Sequence, residues 1–168
     1  MDLGLSGKTA LVCASTAGLG AATARALAGE RANVVISGRR GRQVREIAAT
    51  LPSAIGVEVD LTEPDGPEQL VAQAASAFGD IDIDIDIVNL LLPGRIATDR
   101  LAGIDEFVAE QSGQAPAAVK AQGQREIPTG RYGRPEEFGQ VAAFRCSEPA
   151  SYVTGTVLRF DGGLIRSL

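Results

Sequence analysis

Cys13-Ala14-Ser15-Thr16-Ala17-Gly18-Leu19-Gly20 is the stretch that decides how this chain is read. A short apolar run, Thr9-Ala10-Leu11-Val12, leads into it, and an alanine-rich stretch from Ala21 to Ala28 leads out. Thr9 to Ala14 reads as a buried strand, and Gly18 to Glu30 as a helix of high intrinsic propensity. Strand, glycine turn and helix in that order bring backbone N–H groups and a helix N-terminus to where they can hold a phosphate. Gly18 and Gly20 carry no Cβ, so a pyrophosphate can come close to the backbone and the helix can lie close to the strand. A glycine-bearing turn after a strand is also ordinary structure, so the turn needs support from the rest of the chain.

That support comes first from alternation. Asn33-Val34-Val35-Ile36-Ser37 reads as a second strand, and Ile55, Val57 and Val59 mark a third that ends at Asp60. Between them Val44, Ile47, Ala48 and Leu51 repeat at helical spacing and stop before Pro52. Val71, Ala74, Ala75 and Phe78 mark a third amphipathic helix. Strands alternating with helices predict an α/β fold, a three-layer, doubly wound parallel sheet. Such sheets bind ligands beyond the carboxyl ends of their strands. At 168 residues and 45% hydrophobic content, one domain over residues 1–168 is expected.

Composition excludes several classes. The net charge of -5 and the absence of a basic stripe argue against nucleic acid as a partner. No apolar run is long enough to span a membrane, and Met1-Asp2-Leu3-Gly4-Leu5 does not read as a leader, so the expectation is a cytoplasmic protein. Cys13 and Cys146 form no CxxC pair and read as reduced structural thiols. There is no histidine, which removes His-based triads and most zinc sites, and no metal is expected.

Ser37-Gly38-Arg39-Arg40 follows the second strand. Dinucleotide sites that take NAD place Asp or Glu here for the ribose 2′-hydroxyl, whereas a serine with two arginines suits a 2′-phosphate. This favours NADP(H) over NAD; the alternative is a solvated basic loop.

Six stretches in order resemble the short-chain dehydrogenase/reductase family, nearest its 3-oxoacyl-acyl-carrier-protein reductase-like branch. The opening turn is similar to the family's Thr-Gly-x-x-x-Gly-x-Gly, with Cys13 and Ala14 in the Thr and first Gly places. Asp60-Leu61 stands where the family binds adenine, although an aspartate there also serves as a helix cap or turn residue. Pro93-Gly94-Arg95-Ile96-Ala97-Thr98 resembles the Pro-Gly-x-x-x-Thr that holds the nicotinamide carboxamide. Gly130-Arg131-Tyr132-Gly133-Arg134-Pro135-Glu136-Glu137 resembles a family helix start, and Ser151 to Gly155 with Leu158 to Gly163 its last strand.

The resemblance implies a Rossmann-like sheet of about five strands, in the order 3-2-1-(4/6)-7, and NADP(H)-dependent reduction of a small carbonyl or 3-oxoacyl substrate. The implied cofactor-binding positions are Ala14, Thr16, Gly18, Leu19, Gly20, Ser37, Arg39, Arg40, Asp60, Leu61, Asn89, Pro93, Gly94, Ile96 and Thr98. Asn89 has two readings, the first Asn of the family's Asn-Asn-Ala-Gly motif or an Asn of its sixth strand.

No catalytic residue is assigned. The family's proton donor is a tyrosine with a lysine four residues later, because a phenol of pKa near 10 exchanges protons too slowly at neutral pH without help. Here Tyr132 and Tyr152 are followed at that spacing by Glu136 and Thr156, and the lysines are Lys8 and Lys120. Asp80-Ile81-Asp82-Ile83 resembles the family's fourth strand and Val88 to Gly94 its sixth, with only Asp84 to Ile87 between them. An internal deletion that fuses the two strands is therefore expected, with reduction absent or very slow. A strand over Ile81–Ile87 would put Asp82, Asp84 and Asp86 on one face, which is expected to lie partly open to water. A carboxylate ladder could hold Mg²⁺ or Ca²⁺, but no supporting ligand set is visible.

Arg31 replaces the family's helix-ending glycine, and Arg145 interrupts the apolar stripe of Phe138, Val141 and Ala142. Residues between Thr98 and Pro128 read as a solvated helical excursion, which the resemblance would make a substrate lid. The resemblance places the family's main dimer contact on the lost helices, so the usual tetramer is not expected, and a dimer by edge pairing through Thr156 to Phe160 remains open.

Overall fold

Val34, Val35 and Ile36 have no exposed surface, and the two faces of their strand build two separate cores. In the computed structural model, which describes residues 1–82 and 89–165, strands β1 (Thr9–Val12), β2 (Asn33–Gly38) and β3 (Ala54–Glu58) form a parallel sheet with β2 in the middle. The register runs Thr9 opposite Asn33 and Val34 opposite Ala54. Helices α1 (Gly18–Gly29), α2 (Gly41–Ala48) and α3 (Gly66–Phe78) alternate with these strands. Because side chains alternate along a strand, Val34 and Ile36 face Leu27 and Ala28 of α1 and Val44 and Ala48 of α2. Val35 faces the other way, onto Val57, Leu70 and Ala74. Helix, sheet, helix is the expected three-layer arrangement.

The remaining elements are β4 (Leu90–Pro93), α4 (Asp99–Ser112), α5 (Pro116–Arg125), α6 (Pro135–Arg145) and β5 (Val157–Phe160). β4 and β5 pair in parallel, Leu90 opposite Val157, as a second sheet. Phe160 at its end meets Phe138 of α6 edge to face, with ring centroids 5.7 Å apart. α6 also packs on α1 at very short range. Gly139 lies so close that a Cβ there would sit 2.5 Å from the Ala22 carbonyl oxygen.

Several expectations need correction. The five strands lie in two sheets, and among the described residues no ladder joins β1 to β4. Residues 80–82 are not strand. Asp82 turns its carboxylate onto the edge of β1, accepting from the Thr9 N–H at 2.8 Å and from Lys8 Nζ at 3.2 Å. It is one-third exposed, and these bonds hold its pKa below the usual range. Asp84 and Asp86, with the rest of residues 83–88, lie outside the described residues, and the far end of the expected fused strand is β4. β1 stops at Val12 rather than Ala14, because Ala14 adopts φ +50°, which ends an extended run. β3 stops at Glu58, just before Asp60 turns the chain by accepting from the Thr62 N–H and hydroxyl. The buried stripe of α3 is Leu70, Ala74 and Phe78 at i, i+4 spacing, so Val71 is 48% exposed. The excursion between Thr98 and Pro128 is the helical hairpin α4–α5, reversed at Gly113 with φ +65°.

Arg31 behaves as its position requires. It takes φ +64° just past α1, with its N–H on the Ala28 carbonyl and the Ala32 N–H on the Leu27 carbonyl. This is the Schellman closure, in which glycine is normally used. Replacing Arg31→Gly removes a penalty of about 1 kcal/mol, so the urea midpoint should rise. Gly139→Ala should have the opposite effect. It forces α6 off α1 and should lower stability by about 1–3 kcal/mol in the same assay, and an unchanged midpoint would contradict the close packing described.

Candidate functional site

The glycine turn is built by one close approach and one clasp. A Cβ on Gly20 would lie 2.7 Å from the Ala14 carbonyl oxygen, so only glycine lets the first turn of α1 fold back against the strand end. Ser15 is completely buried. Its hydroxyl donates to the Val12 carbonyl at 2.6 Å and accepts from the Ser37 N–H at 3.0 Å. The turn and the end of β2 are thereby held side by side. Ala17, the N-cap of α1, supplies no side-chain cap, so the first N–H groups of the helix are left for an external acceptor.

Two cavities flank this turn. One, of about 710 Å³, is lined by Ala14, Thr16, Ser37, Arg39, Arg40, Asp60 and Leu61 among others. The other, of about 650 Å³, lies between Gly18 and Leu19 on one side and Pro93, Gly94, Ile96 and Thr98 on the other, closed by Leu101 and Ile104 of α4. Every position named from the sequence lines one of these cavities except Gly20 and Asn89. Gly20 is behind the turn, where it sets the approach. Asn89 sits elsewhere and braces the second sheet, donating to the Val153 carbonyl at 2.9 Å and accepting from the Thr156 hydroxyl at 3.2 Å. Thr156 in turn accepts from Arg145, so this arginine leaves the apolar stripe for a polar edge. Asn89 directly precedes β4 and lies in neither of the two cavities.

The electrostatics differ between the two cavities. Arg39 and Arg40 form no ion pair among the described residues. Hydrogen bonds from the Thr62 N–H and hydroxyl hold the Asp60 carboxyl below its usual range, with the nearby Arg39 charge adding to the effect. Around the second cavity the ionisable lining residues are Asp99 and Arg100, at the start of α4. Thr98 caps that helix, accepting from the Leu101 N–H at 3.4 Å. The tyrosines are engaged or remote. The buried Tyr132 hydroxyl lies 3.2 Å from both Asp105 carboxylate oxygens; burial, then the Asp105 charge, pushes its pKa above 10. Tyr152 is fully exposed.

Sequence reasoning missed Ser15 and the α4 residues. A hydroxyl inside an apolar strand-to-turn segment was the one available signal for Ser15. Asp99, Arg100, Leu101 and Ile104 reach the cavity only because α4 folds over Pro93–Gly94, which no local pattern states.

Below the second sheet, Glu137 closes the start of α6. Its carboxylate accepts from Arg131 at 2.8 and 2.9 Å and from the Arg134 N–H at 2.8 Å, which lowers its pKa from 4.5 to about 2. A lowered folded-state pKa gives stabilisation that is complete above the unfolded value and fades as pH falls through the folded one. The wild-type chain should therefore melt above Glu137→Gln at pH 6, with the gap closing between pH 4.5 and about 2. A gap independent of pH would contradict this.

A family model described as short chain dehydrogenase matches residues 8–89, and one described as Enoyl-(Acyl carrier protein) reductase matches residues 84–165. The two matches overlap at residues 84–89. Over 78 residues the chain is 40% identical to 3-oxoacyl-[acyl-carrier-protein] reductase FabG of Aquifex aeolicus, covering 46% of this chain and 27% of that protein. In this match the chain thus spans about a quarter of its relative. Cis-4-hydroxycyclohexanecarboxylate dehydrogenase of Sinomonas cyclohexanicum aligns over 239 positions at 25% identity, covering 93% of this chain and 96% of that one. That alignment is longer than the 168-residue chain, so the relative carries residues with no counterpart here. The solved L-sorbose reductase of Gluconobacter frateurii, complexed with NADPH and L-sorbose, superposes with a TM-score of 0.91 at 21% identity over 100% of both chains. Covered almost end to end by a short chain dehydrogenase model and an Enoyl-(Acyl carrier protein) reductase model together, the chain belongs to the short-chain dehydrogenase/reductase family.

Proposed function

We propose that this chain is an NADP(H)-binding member of its family whose reduction chemistry is impaired for want of a proton donor. The observation that carries the binding half is the placement of the two cavities on either side of the glycine turn. The donor set fits a phosphorylated dinucleotide. The uncapped N-terminus of α1 offers N–H groups for a diphosphate, and Arg39 and Arg40 offer guanidinium groups without a carboxylate partner among the described residues. Ser37 stands in the wall of the same cavity, its hydroxyl donating to the Val12 carbonyl at 3.3 Å, where an NAD site would carry an acid, which favours NADP(H). The Pro93–Thr98 turn would hold the nicotinamide end.

A bound nicotinamide supplies hydride to a carbonyl carbon. The chain must then deliver a proton to the carbonyl oxygen. Asp99 and Arg100 are the ionisable groups lining that cavity, and neither is paired with a phenol or a lysine there. Tyr132 is held by Asp105 with its pKa raised, the wrong direction for an acid at neutral pH. The small carbonyl or 3-oxoacyl substrate of the family can thus be accommodated between α4 and the turn without being turned over efficiently.

Two measurements test the two halves. NADPH at one hundred times its Kd should stabilise the fold by about 2.7 kcal/mol in a thermal melt, and the double change Arg39→Ala, Arg40→Ala should weaken NADPH binding by about 10–100-fold. A melt that is non-cooperative and indifferent to NADPH would mark a chain with no dinucleotide role. Reduction of a 3-oxoacyl thioester by the purified protein should be at background, and a robust rate would overturn the impairment.

A further inference from the structure

We infer that Ser15 is a positioning residue, whose buried hydroxyl sets the spacing between the phosphate-holding turn and the Arg39–Arg40 corner and so the preference for a 2′-phosphorylated dinucleotide. This rests on the dinucleotide reading of the crevice given above.

The β1–β2 ladder ends with Val12 opposite Ile36. Continued by one residue, that register would put Cys13 beside Ser37. Ser15 stands there instead. Its N–H donates to the Ser37 carbonyl at 3.0 Å, and its hydroxyl accepts from the Ser37 N–H at 3.0 Å. A side-chain oxygen thus replaces the backbone carbonyl that a regular rung would use. Cys13 and Ala14 are looped out of the pairing, and Ala14 is forced to φ +50°.

The Ser15 hydroxyl also donates to the Val12 carbonyl at 2.6 Å, so one oxygen closes the loop and fastens it to β2. Gln43 adds a second tie, its Nε2 donating to the Thr16 carbonyl at 3.2 Å. Gly38 lets the two segments close, since a Cβ there would meet Thr16 Cγ2 at 2.9 Å.

The consequence is geometric. The turn residues Thr16 to Gly18 and the corner residues Arg39 and Arg40 belong to different segments of chain, and Ser15 is the buried joint between them. Ser15 and Ser37 both have no exposed surface, so removing the Ser15 oxygen leaves the Ser37 N–H buried without an acceptor. The corner must then shift or admit water. A ligand gripped at both the diphosphate and the 2′-phosphate feels that shift. A ligand gripped only at the diphosphate does not.

The test uses the full chain, with NADPH and NADH fluorescence titrations and amide hydrogen exchange on wild type and Ser15→Ala. Ser15→Ala should raise the NADPH Kd by about tenfold while the NADH Kd stays within about twofold. In the unliganded protein, exchange at Ser37 and residues 38–40 should quicken by about tenfold or more, with protection of Val34, Val35 and Ile36 unchanged. An equal loss for both dinucleotides would overturn the inference, because it marks a structural role alone. So would unaltered exchange at Ser37. Wild type that binds neither dinucleotide, with faster exchange at 37–40 in the variant, would overturn both the crevice reading and the selectivity assigned to Ser15. If Ser15→Ala does not fold, Ser15→Cys, similar in shape with a weaker donor and acceptor, is judged by the same two readouts.

Discussion

The whole arrangement depends on how closely α1 can approach the end of β1. Gly20 sits against the Ala14 carbonyl at a distance no Cβ could occupy, and the same helix on its far side meets Gly139 of α6 at similar range. Glycine at both contacts lets backbone lie on backbone, and the alanines of α1, among them Ala21, Ala22, Ala24 and Ala28, keep the helix thin between them. Sheet, α1 and α6 therefore stack tightly enough to share one core. The turn between β1 and α1 is left at the carboxyl edge, between the two cavities.

Among the described residues, no strand ladder joins that tight stack to β4 and β5. Central strands of a parallel sheet normally have a neighbour on each side. β1 has β2 on one side, while on the other its first N–H is met by the Asp82 carboxylate and Lys8 closes the charge. A buried N–H without an acceptor costs about 1–3 kcal/mol, and a side-chain carboxylate is an adequate substitute for one rung of a ladder. β4 and β5 form their own pair and are tied back through Asn89, Thr156 and Arg145. The family scaffold is thus kept at its two ends by polar contacts at the joint. The segments that would carry the tyrosine and lysine have no counterpart in the sequence. On the proposed reading, the turns present here would serve binding, and the chemistry would need the units that the sequence lacks.

Much of this was legible in one dimension. The β1–α1–β2–α2–β3 order follows from apolar runs of strand length separated by helical spacing, and Val34, Val35 and Ile36 are as buried as an unbroken apolar run implies. Pro135 and Glu137 mark the start of α6 because their preference for a helix N-terminus is local. Arg31 at positive φ was readable for the same reason. The errors share a cause as well. Val71 and Leu70 are both apolar neighbours on α3, and only the sheet beneath decides which is buried. Asn89 lies away from both cavities, and only the folded chain shows its partners, Val153 and Thr156.

Sequence alone therefore determined the class of fold, the glycine turn, the basic corner after the second strand and the absence of a Tyr-x-x-x-Lys pair, because each is a matter of residue type at short spacing. Tertiary structure decided that the strands divide into two sheets, that Asp82 covers the edge of β1, that α4 closes the second cavity and that Ser15 joins the turn to the corner. Those four facts depend on which segments distant in sequence come within hydrogen-bonding or packing range, and such distances are set by the folded chain as a whole.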